Sequence, residues 1–183
     1  MSLIKTISRK LVLDLGKWLK VESHVVGFPD GKQVADWPWL ISPSYVIIFP
    51  RTQEGKFLCF RQPKYAIEGV GVAPVGGYIE PEEEPMLAAK REMLEETGYE
   101  SNSWTPLGSF VVDGNHGGGT AHLFLAENAR KVAEPIVDDL EEQVHIELTP
   151  EELRHALDSG EIKVLAWATG AALTLLHLQR QHQ

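Results

Sequence analysis

The chain has 183 residues, 43% of them hydrophobic, so it is long enough for one ordinary domain with a sizeable core and short for two. Lys and Arg total 17 against 26 Asp and Glu, and the formal net charge of -9 disfavours binding to the phosphate backbone of a nucleic acid. Cys59 is the single cysteine, which excludes an internal disulfide, and no stretch approaches the ~18 apolar residues of a membrane span, so we expect a cytoplasmic protein.

The N-terminal part of the chain is predicted to form antiparallel strands. Residues 17–27 partly alternate apolar and polar side chains, and the turn sequence FPDGK connects them to a second arm, QVADWPWL. A second hairpin is predicted from Tyr45–Phe49 and Lys56–Arg61, around the turn TQEG. We expect residues 1–42 to be a strand extension of a single domain that covers residues 1–183.

Helices alternate with strands in the rest of the chain. After the short strand GVGVAPV and two glycines, residues 83–97 are strong helix formers, and Gly98 follows at the position of a helix C-terminal glycine. WTPLGSFVVD, TAHLFLAEN and QVHIEL read as strands, and Thr149 with Glu152 predicts a capping box at the start of the next helix. The last segment, EIKVLAWATGAALTLLHLQRQ, predicts a buried or dimer-facing helix. The order of elements, strands, helix, strands, helix, helix, predicts an α/β or α+β sandwich.

The predicted helix at residues 83–97 carries an unusual amount of negative charge. Glu92, Glu95 and Glu96 share one helical face, one turn after Ala88 and Ala89, and like charges at this spacing destabilise a helix. Solvent, Arg91 or divalent cations could compensate that charge, and Mg²⁺ prefers carboxylate oxygens. A solvated acidic surface helix is the alternative, because most charge runs are solvent-facing.

The larger pattern favours the cation. Gly77, Glu83 and the run REMLEETGY at residues 91–99 resemble the signature of the Nudix hydrolases, with every defining position of a 23-residue motif filled. The resemblance implies a mixed sheet sandwiched between helices and a loop-helix-loop that binds Mg²⁺, or Mn²⁺ as a substitute. It also implies hydrolysis of a nucleoside diphosphate linked to another moiety.

The same resemblance implies a role for each residue of the motif. Glu92, Glu95 and Glu96 correspond to metal ligands, and Gly76 is expected at the metal site as well. Glu83 is expected to fold back beside the helix, to pair with Arg91 and to orient the carboxylates. Gly77 is expected to allow a close approach of the backbone.

Outside the motif, the sequence more weakly resembles the Nudix branch that hydrolyses ADP-ribose and ADP-sugars. FPDGK, LCFRQPKYA, VAPVGGYIE and ELTPEELRHALDSGEI are similar to segments of that branch, in which the residues at the positions of Arg61 and Glu80 help to hold substrate and metals. An arginine suits a metal-bound pyrophosphate because its planar fork binds phosphate oxygens in pairs. A surface charge is the alternative for Arg61. Two departures leave the substrate open: Glu82 stands where the branch usually has a glycine, and VVDGNHGGGTAHLF lacks the Ser-Pro-Gly element.

A general base is also required to activate water. The segment VDDLEEQVHIEL offers acidic residues ahead of a strand, where the resembled branch often has its base, and the resemblance favours Glu141. Glu142 and, in the motif helix, Glu96 stay open, as does an acidic loop with no catalytic role.

Two further regions could contact a nucleoside. Trp39, with Trp37, could stack on an adenine, although core packing or a dimer contact is the ordinary role of such residues. Asn115, in the loop before Gly117–Gly119, could hydrogen-bond a sugar or phosphate, while the glycines also fit a flexible hairpin turn.

We therefore predict a metal-dependent pyrophosphohydrolase with a nucleotide-sugar substrate. Hydrolysis of another diphosphate (a nucleoside triphosphate, NADH or a dinucleoside polyphosphate), a Nudix-fold nucleotide sensor without turnover, and a metal-storing acidic protein are the alternatives. Retention of Glu92, Glu95 and Glu96 favours catalysis over the sensor. The apolar C-terminal helix and the N-terminal hairpin together predict a homodimer.

Overall fold

The computed structural model describes residues 3–136 and 143–181. The strands are, in chain order, β1 (Lys5–Asp14), β2 (Lys20–Gly27), β3 (Gln33–Ile41), β4 (Tyr45–Thr52), β5 (Phe57–Pro63), β6 (Val70–Ala73), β7 (Tyr99–Glu100), β8 (Ser103–Asp113), β9 (Gly117–Lys131) and β10 (Val144–Leu148). The helices are α1 (Pro85–Thr97), α2 (Pro150–Asp158) and α3 (Leu165–Gln181). The chain divides into two compact units, Met1–Ser44 with Phe110–Ala121, and Tyr45–Ser109 with His122–Gln183.

The first unit is built on the antiparallel strands β1, β2 and β3. The predicted FPDGK turn joins β2 to β3, where the N–H of Phe28 donates to the carbonyl of Lys32 at 2.8 Å and Asp30 Oδ1 accepts from the Lys32 N–H at 3.0 Å. Strand β1 pairs with β2 from Lys5↔Gly27 to Asp14↔Lys20, which extends the predicted hairpin to a three-stranded arrangement.

The glycine run at residues 117–119 lies in a strand, so the expected flexible hairpin turn is wrong at these positions. Gly117, Gly118 and Gly119 all have positive φ, at +84°, +81° and +84°, and they are the first residues of β9. A Cβ atom would lie 2.9 Å from the Leu40 carbonyl oxygen at Gly117 and 2.8 Å from the Pro43 carbonyl oxygen at Gly119. Glycine is required there because backbone approaches backbone and because L side chains disfavour positive φ.

The second unit contains a sheet with β4 and β5 at its centre. Strand β4 lies between β9 and β5, and β5 pairs with both β6 and β10. Helices α1 and α3 both pack against β4, and α2 packs against α3 and β10. These contacts confirm the predicted sheet flanked by helices, and within the first unit Leu40 of β3 pairs in parallel with Gly117 of β9, so both parallel and antiparallel pairs occur.

The core of this unit consists of the central strands and the inner faces of the helices. The largest fully buried apolar side chains include the following: Val46, Ile48, Phe49, Phe57, Leu58, Met93, Leu123, Leu125 and Leu153. Cys59 is fully buried beside them, and burial raises the pKa of its thiol to about 12.

Two helix termini follow the sequence rules. Glu152 N–H donates to Thr149 Oγ1 at 3.2 Å while the Thr149 N–H donates to Glu152 Oε2 at 2.8 Å, which is the predicted capping box of α2. Helix α1 ends at Gly98 in the left-handed conformation, with φ of 73°, and the Gly98 N–H donates to the Leu94 carbonyl. Both caps are local, which is why spacing alone could predict them.

Helix α3 packs against β4 and α2 of the same chain. A Cβ atom at Gly170 would lie 2.7 Å from Phe49 Cε2, so glycine allows the helix to approach β4 closely. One face of the helix is buried, through Trp167, Gly170, Ala171, Thr174, Leu175 and Leu178. Across residues 3–136 and 143–181, none of the helices combines the length and apolarity that a membrane crossing requires.

Candidate active site

The site is built around the bend at Gly76–Gly77, which follows β6. The N–H of Val46 donates to the Gly77 carbonyl at 2.9 Å and the N–H of Ile48 donates to the Val75 carbonyl at 2.8 Å, so the bend is tied to the central strand β4. A Cβ atom at Gly76 would lie 2.2 Å from the Val46 carbonyl oxygen. Side chains larger than hydrogen do not fit there without displacing the backbone.

Two carboxylates of α1 meet this bend. The Gly76 N–H donates to Glu96 Oε2 at 2.9 Å. At Gly77 a Cβ atom would lie 2.3 Å from the carboxylate carbon of Glu92, so Glu92 occupies the space that a side chain at Gly77 would fill. Burial raises the pKa of Glu92, although hydrogen bonding from Arg91 opposes that shift. The two glycines therefore allow two acidic side chains to contact one turn of backbone.

Arg91 connects the helix to the loop before it. Its Nε and Nη2 donate to both carboxylate oxygens of Glu83, at 2.9 Å and 2.8 Å, and Nη2 also donates to the Tyr78 carbonyl at 3.1 Å. Its Nη1 donates to Glu92 Oε1 at 2.7 Å and to Glu95 Oε2 at 3.1 Å. The hydrogen bond from Arg91 lowers the pKa of Glu83, and bonding to Glu83 is the main cause of the raised pKa of Arg91. The guanidinium thus holds three carboxylates and one carbonyl in a fixed geometry.

The loop that presents Glu83 is a tight turn. Glu80 lies at its start, where its N–H donates to Glu83 Oε2 at 3.0 Å and its carbonyl accepts from the Glu83 N–H at 3.1 Å. Glu82, between them, has a φ of 65°. Glu82 is where the resembled branch usually has a glycine, and a glycine suits this left-handed backbone, which costs an L residue about 1–2 kcal/mol.

We expect Glu82→Gly to stabilise the protein relative to Glu82→Ala by about 0.5–1 kcal/mol. Both variants remove the charge, but only glycine relieves the strain of positive φ, and its larger unfolded-state entropy offsets part of the gain. Thermal unfolding of the two variants side by side measures the difference. Equal stability would show that Glu82 is not strained.

Arg61, predicted to bind substrate, lies on β5 and forms an ion pair with Glu161. The distance from Arg61 Nη2 to Glu161 Oε2 is 2.9 Å, and the two side chains are 48% and 36% exposed. Glu161 was not among the residues selected from the sequence, because a single glutamate after a helix gives no signal of its partner.

The remaining candidates lie in the first unit or outside the described residues. Trp39 stacks on His24, with ring centroids 5.5 Å apart, and His24 contacts Glu22 through Nε2 at 2.8 Å. The N–H of Asn115 donates to Asp113 Oδ1, and its carbonyl accepts from Trp37 Nε1 at 2.8 Å. Glu141 and Glu142 lie outside the described residues.

The donor set at the bend fits a hard divalent cation. Carboxylate oxygens of Glu92 and Glu96 adjoin the backbone of Gly76–Gly77, and oxygen donors are what Mg²⁺ takes. In the described part of the chain, however, His, Cys, Asp and Glu side chains do not form a group of three at metal-binding distances. Glu92 and Glu95 face Arg91 instead, and Glu96 faces the Gly76 N–H.

This chain is similar to known proteins in sequence and in fold. The NUDIX domain model matches residues 42–168. ADP-ribose pyrophosphatase of Bacillus subtilis (strain 168) is 30% identical over 159 residues, which are 86% of this chain and 85% of the relative. Methanol dehydrogenase activator of Bacillus methanolicus is 30% identical over 149 residues, 81% of this chain and 80% of that protein. A crystal structure of an ADP compounds hydrolase superposes with a TM-score of 0.84 at 17% identity, covering 99% of this chain and 97% of that chain.

Proposed function

Since this chain belongs to the NUDIX family and is a Nudix pyrophosphohydrolase, we propose that it hydrolyses the pyrophosphate bond of ADP-ribose or an ADP-sugar to AMP and a sugar phosphate. The 30% identity to an ADP-ribose pyrophosphatase over 86% of this chain supports that substrate class. The similarity to the ADP compounds hydrolase, at 17% identity, supports the fold.

The observation that carries the proposal is the meeting of Glu92 and Glu96 at the Gly76–Gly77 bend. We propose that Glu92, Glu95 and Glu96, with the backbone of Gly76, hold Mg²⁺, for which Mn²⁺ can substitute. A cation held there would neutralise charge on the pyrophosphate and lower the pKa of the attacking water. Nudix enzymes in general need a divalent metal, and the clustered carboxylates are suited to one.

Residues around the bend have supporting roles in this proposal. Glu83 and Arg91 hold the carboxylates in place through the bidentate contact, and a fixed geometry preserves catalytic alignment. Glu141 accepts the proton of the attacking water, with Glu96 as the alternative base.

Four other residues would bind the substrate. The planar guanidinium of Arg61 binds phosphate oxygens in pairs, and Glu80 is held at the same loop as Glu83. Trp39 is 37% exposed, so part of its ring is available to stack on an adenine, and Asn115 can hydrogen-bond a sugar.

A substrate panel tests the proposal. We would incubate the protein with ADP-ribose, ADP-glucose, NADH, a diadenosine polyphosphate and nucleoside triphosphates, with Mg²⁺ or Mn²⁺, and separate the products by chromatography. We expect AMP from ADP-ribose or an ADP-sugar, and no turnover after the metal is removed with a chelator. Turnover of only another diphosphate would overturn the substrate, and nucleotide binding without any turnover would favour a sensor.

We also propose that the whole chain acts as one Nudix domain whose residues 1–42 contribute to a homodimer. Every residue of β1 is exposed. Large apolar side chains of this segment face solvent to at least 43%, namely Leu3, Ile4, Ile7, Leu11, Val12, Leu13, Leu15 and Trp18. Apolar surface of this extent is typical of an interaction site, and C2 dimers are the commonest homo-oligomers.

Sedimentation is expected to give a dimer at micromolar concentration, and Val12→Lys is expected to shift it toward monomer. A charged side chain in an apolar interface would lose its hydration without gaining a partner. Val132→Lys is a matched control, because Val132 is 48% exposed but lies in the second unit. A wild-type monomer would refute the dimer.

A further inference from the structure

The partner of Arg61 has no assigned role. Glu161 pairs with Arg61 through Oε2 at 2.9 Å, and its other carboxylate oxygen accepts from Ser159 Oγ at 3.4 Å. Which of the two side chains holds the other in place depends on how firmly each is anchored. The inference rests on the proposed role of Arg61.

The backbone of Glu161 is fixed on both sides. Its N–H donates to the Ala156 carbonyl of α2 at 3.0 Å, and its carbonyl accepts from the N–H of Val72 in β6 at 2.9 Å. A Cβ atom at Gly71 would lie 3.2 Å from the same carbonyl oxygen, so glycine keeps the segment close to β6. A short side chain on an anchored backbone is a stable point of attachment.

The side chain of Arg61, by contrast, is long and flexible unless a contact holds it. It lies on β5 opposite Val72 of β6 and opposite Val144 of β10. An arginine side chain loses much rotamer freedom when it is held in one conformation, and that of Arg61 is 48% exposed. A contact to an anchored carboxylate therefore restricts the arginine more than it restricts the glutamate.

The position of this pair relates it to the site. Val72 lies on β6, and the chain continues from β6 through Pro74 and Val75 into the Gly76–Gly77 bend. Four residues of extended chain span about 13 Å at ~3.3 Å per residue. One dinucleotide is long enough to place a phosphate at the bend and another group beside the Arg61 guanidinium.

We infer that Glu161 is a positioning residue that holds the Arg61 guanidinium ready for the diphosphate of the substrate. A guanidinium has five N–H donors, so the bond from Nη2 to Glu161 leaves donors for two phosphate oxygens. Glu161 acts through Arg61, and it contacts no reacting atom.

Steady-state kinetics test the inference with ADP-ribose as substrate. Glu161→Gln keeps the size of the side chain and removes its charge, and we expect KM to rise about two- to fivefold with kcat changed by less than about twofold, because an exposed ion pair contributes little. Glu147→Gln is the matched control, since Glu147 pairs with Lys56 at 3.4 Å and is 40% exposed on the adjacent β10. In an Arg61→Ala background, Glu161→Gln is expected to have no further effect on KM. An additional rise in that background, or equal effects of the two glutamate variants, would overturn the inference.

A second measurement needs no turnover. The Nε–Hε group of Arg61, followed by ¹⁵N relaxation, is expected to show a lower order parameter in Glu161→Gln than in wild type and in Glu147→Gln. An unchanged order parameter would show that Glu161 does not position Arg61, whatever the substrate. Loss of order in Glu161→Gln together with failure of the whole substrate panel would refute the proposed function and leave the contact between the two residues standing.

Discussion

Glu96→Gln is expected to keep the fold and to lower kcat by about 10²- to 10⁴-fold. A glutamine can still accept the hydrogen bond that the Gly76 N–H now donates to Glu96 Oε2 at 2.9 Å, so the helix stays attached to the bend. The negative charge is lost, and with it a ligand of the proposed cation and a candidate base. Circular dichroism measures whether the fold is kept, and kinetics on ADP-ribose measure the loss of kcat.

Glu84→Gln is the control for this charge change. Glu84 is the N-cap residue of the same helix, its side chain makes no capping hydrogen bond, and it is exposed. We expect its kcat to equal that of wild type. A wild-type kcat in Glu96→Gln would show that the Glu96 carboxylate takes no part in the mechanism. A cooperative loss of structure in that variant would show that Glu96 acts in stability.

Short-range rules predicted the helix of the candidate site well. Helix α1 was expected at residues 83–97 and lies at Pro85–Thr97, because helix formers, a first-turn proline and a C-terminal glycine all act within a few residues. The contact between Glu83 and Arg91 was expected from the resemblance, and the structure contains it as two hydrogen bonds. The helical period predicted that Glu92 and Glu96 share a face, and in the structure both side chains contact Gly76–Gly77.

Long-range contacts were not predictable from the same patterns. Strand β1 was missed because KTISRKLVLD mixes charged and apolar residues, and its pairing with β2 depends on the partner strand. Glu161 reaches Arg61 across 100 positions of the sequence, through the docking of residue 161 on β6. The sequence did not decide what packs against α3, because an apolar helix has the same pattern whether it packs on the chain's own sheet or on a second copy of the chain.

Backbone conformation was the other missing information. Gly117–Gly119 were expected in a turn, since glycine runs favour turns, but they lie in β9 where the carbonyls of Leu40 and Pro43 exclude side chains. The reason for a glycine at the position of Glu82 also became visible only as a φ of 65°.

Arg91→Ala is expected to reduce the free energy of unfolding by about 2–3 kcal/mol, because it removes charged hydrogen bonds to Glu83, Glu92 and Glu95 together. The carboxylates left behind also repel one another. For a chain of this size the melting temperature should fall by roughly 4–12 °C. Lys90→Ala is the matched control, since Lys90 is the adjacent exposed cation on the same helix, and it should change stability by less than about 0.5 kcal/mol.

The cation proposal adds a second, opposite effect to this variant. When Arg91 no longer neutralises the glutamates, Mg²⁺ is the cation that can do so, and a ligand that binds the native state stabilises it. We therefore expect Mg²⁺ to raise the melting temperature of Arg91→Ala by more degrees than that of wild type or Lys90→Ala, even while kcat on ADP-ribose stays low because Glu83 no longer orients the helix. Equal Mg²⁺ shifts in all three proteins would contradict a metal site at these carboxylates, and an unchanged melting temperature without Mg²⁺ would contradict the stabilising role of Arg91.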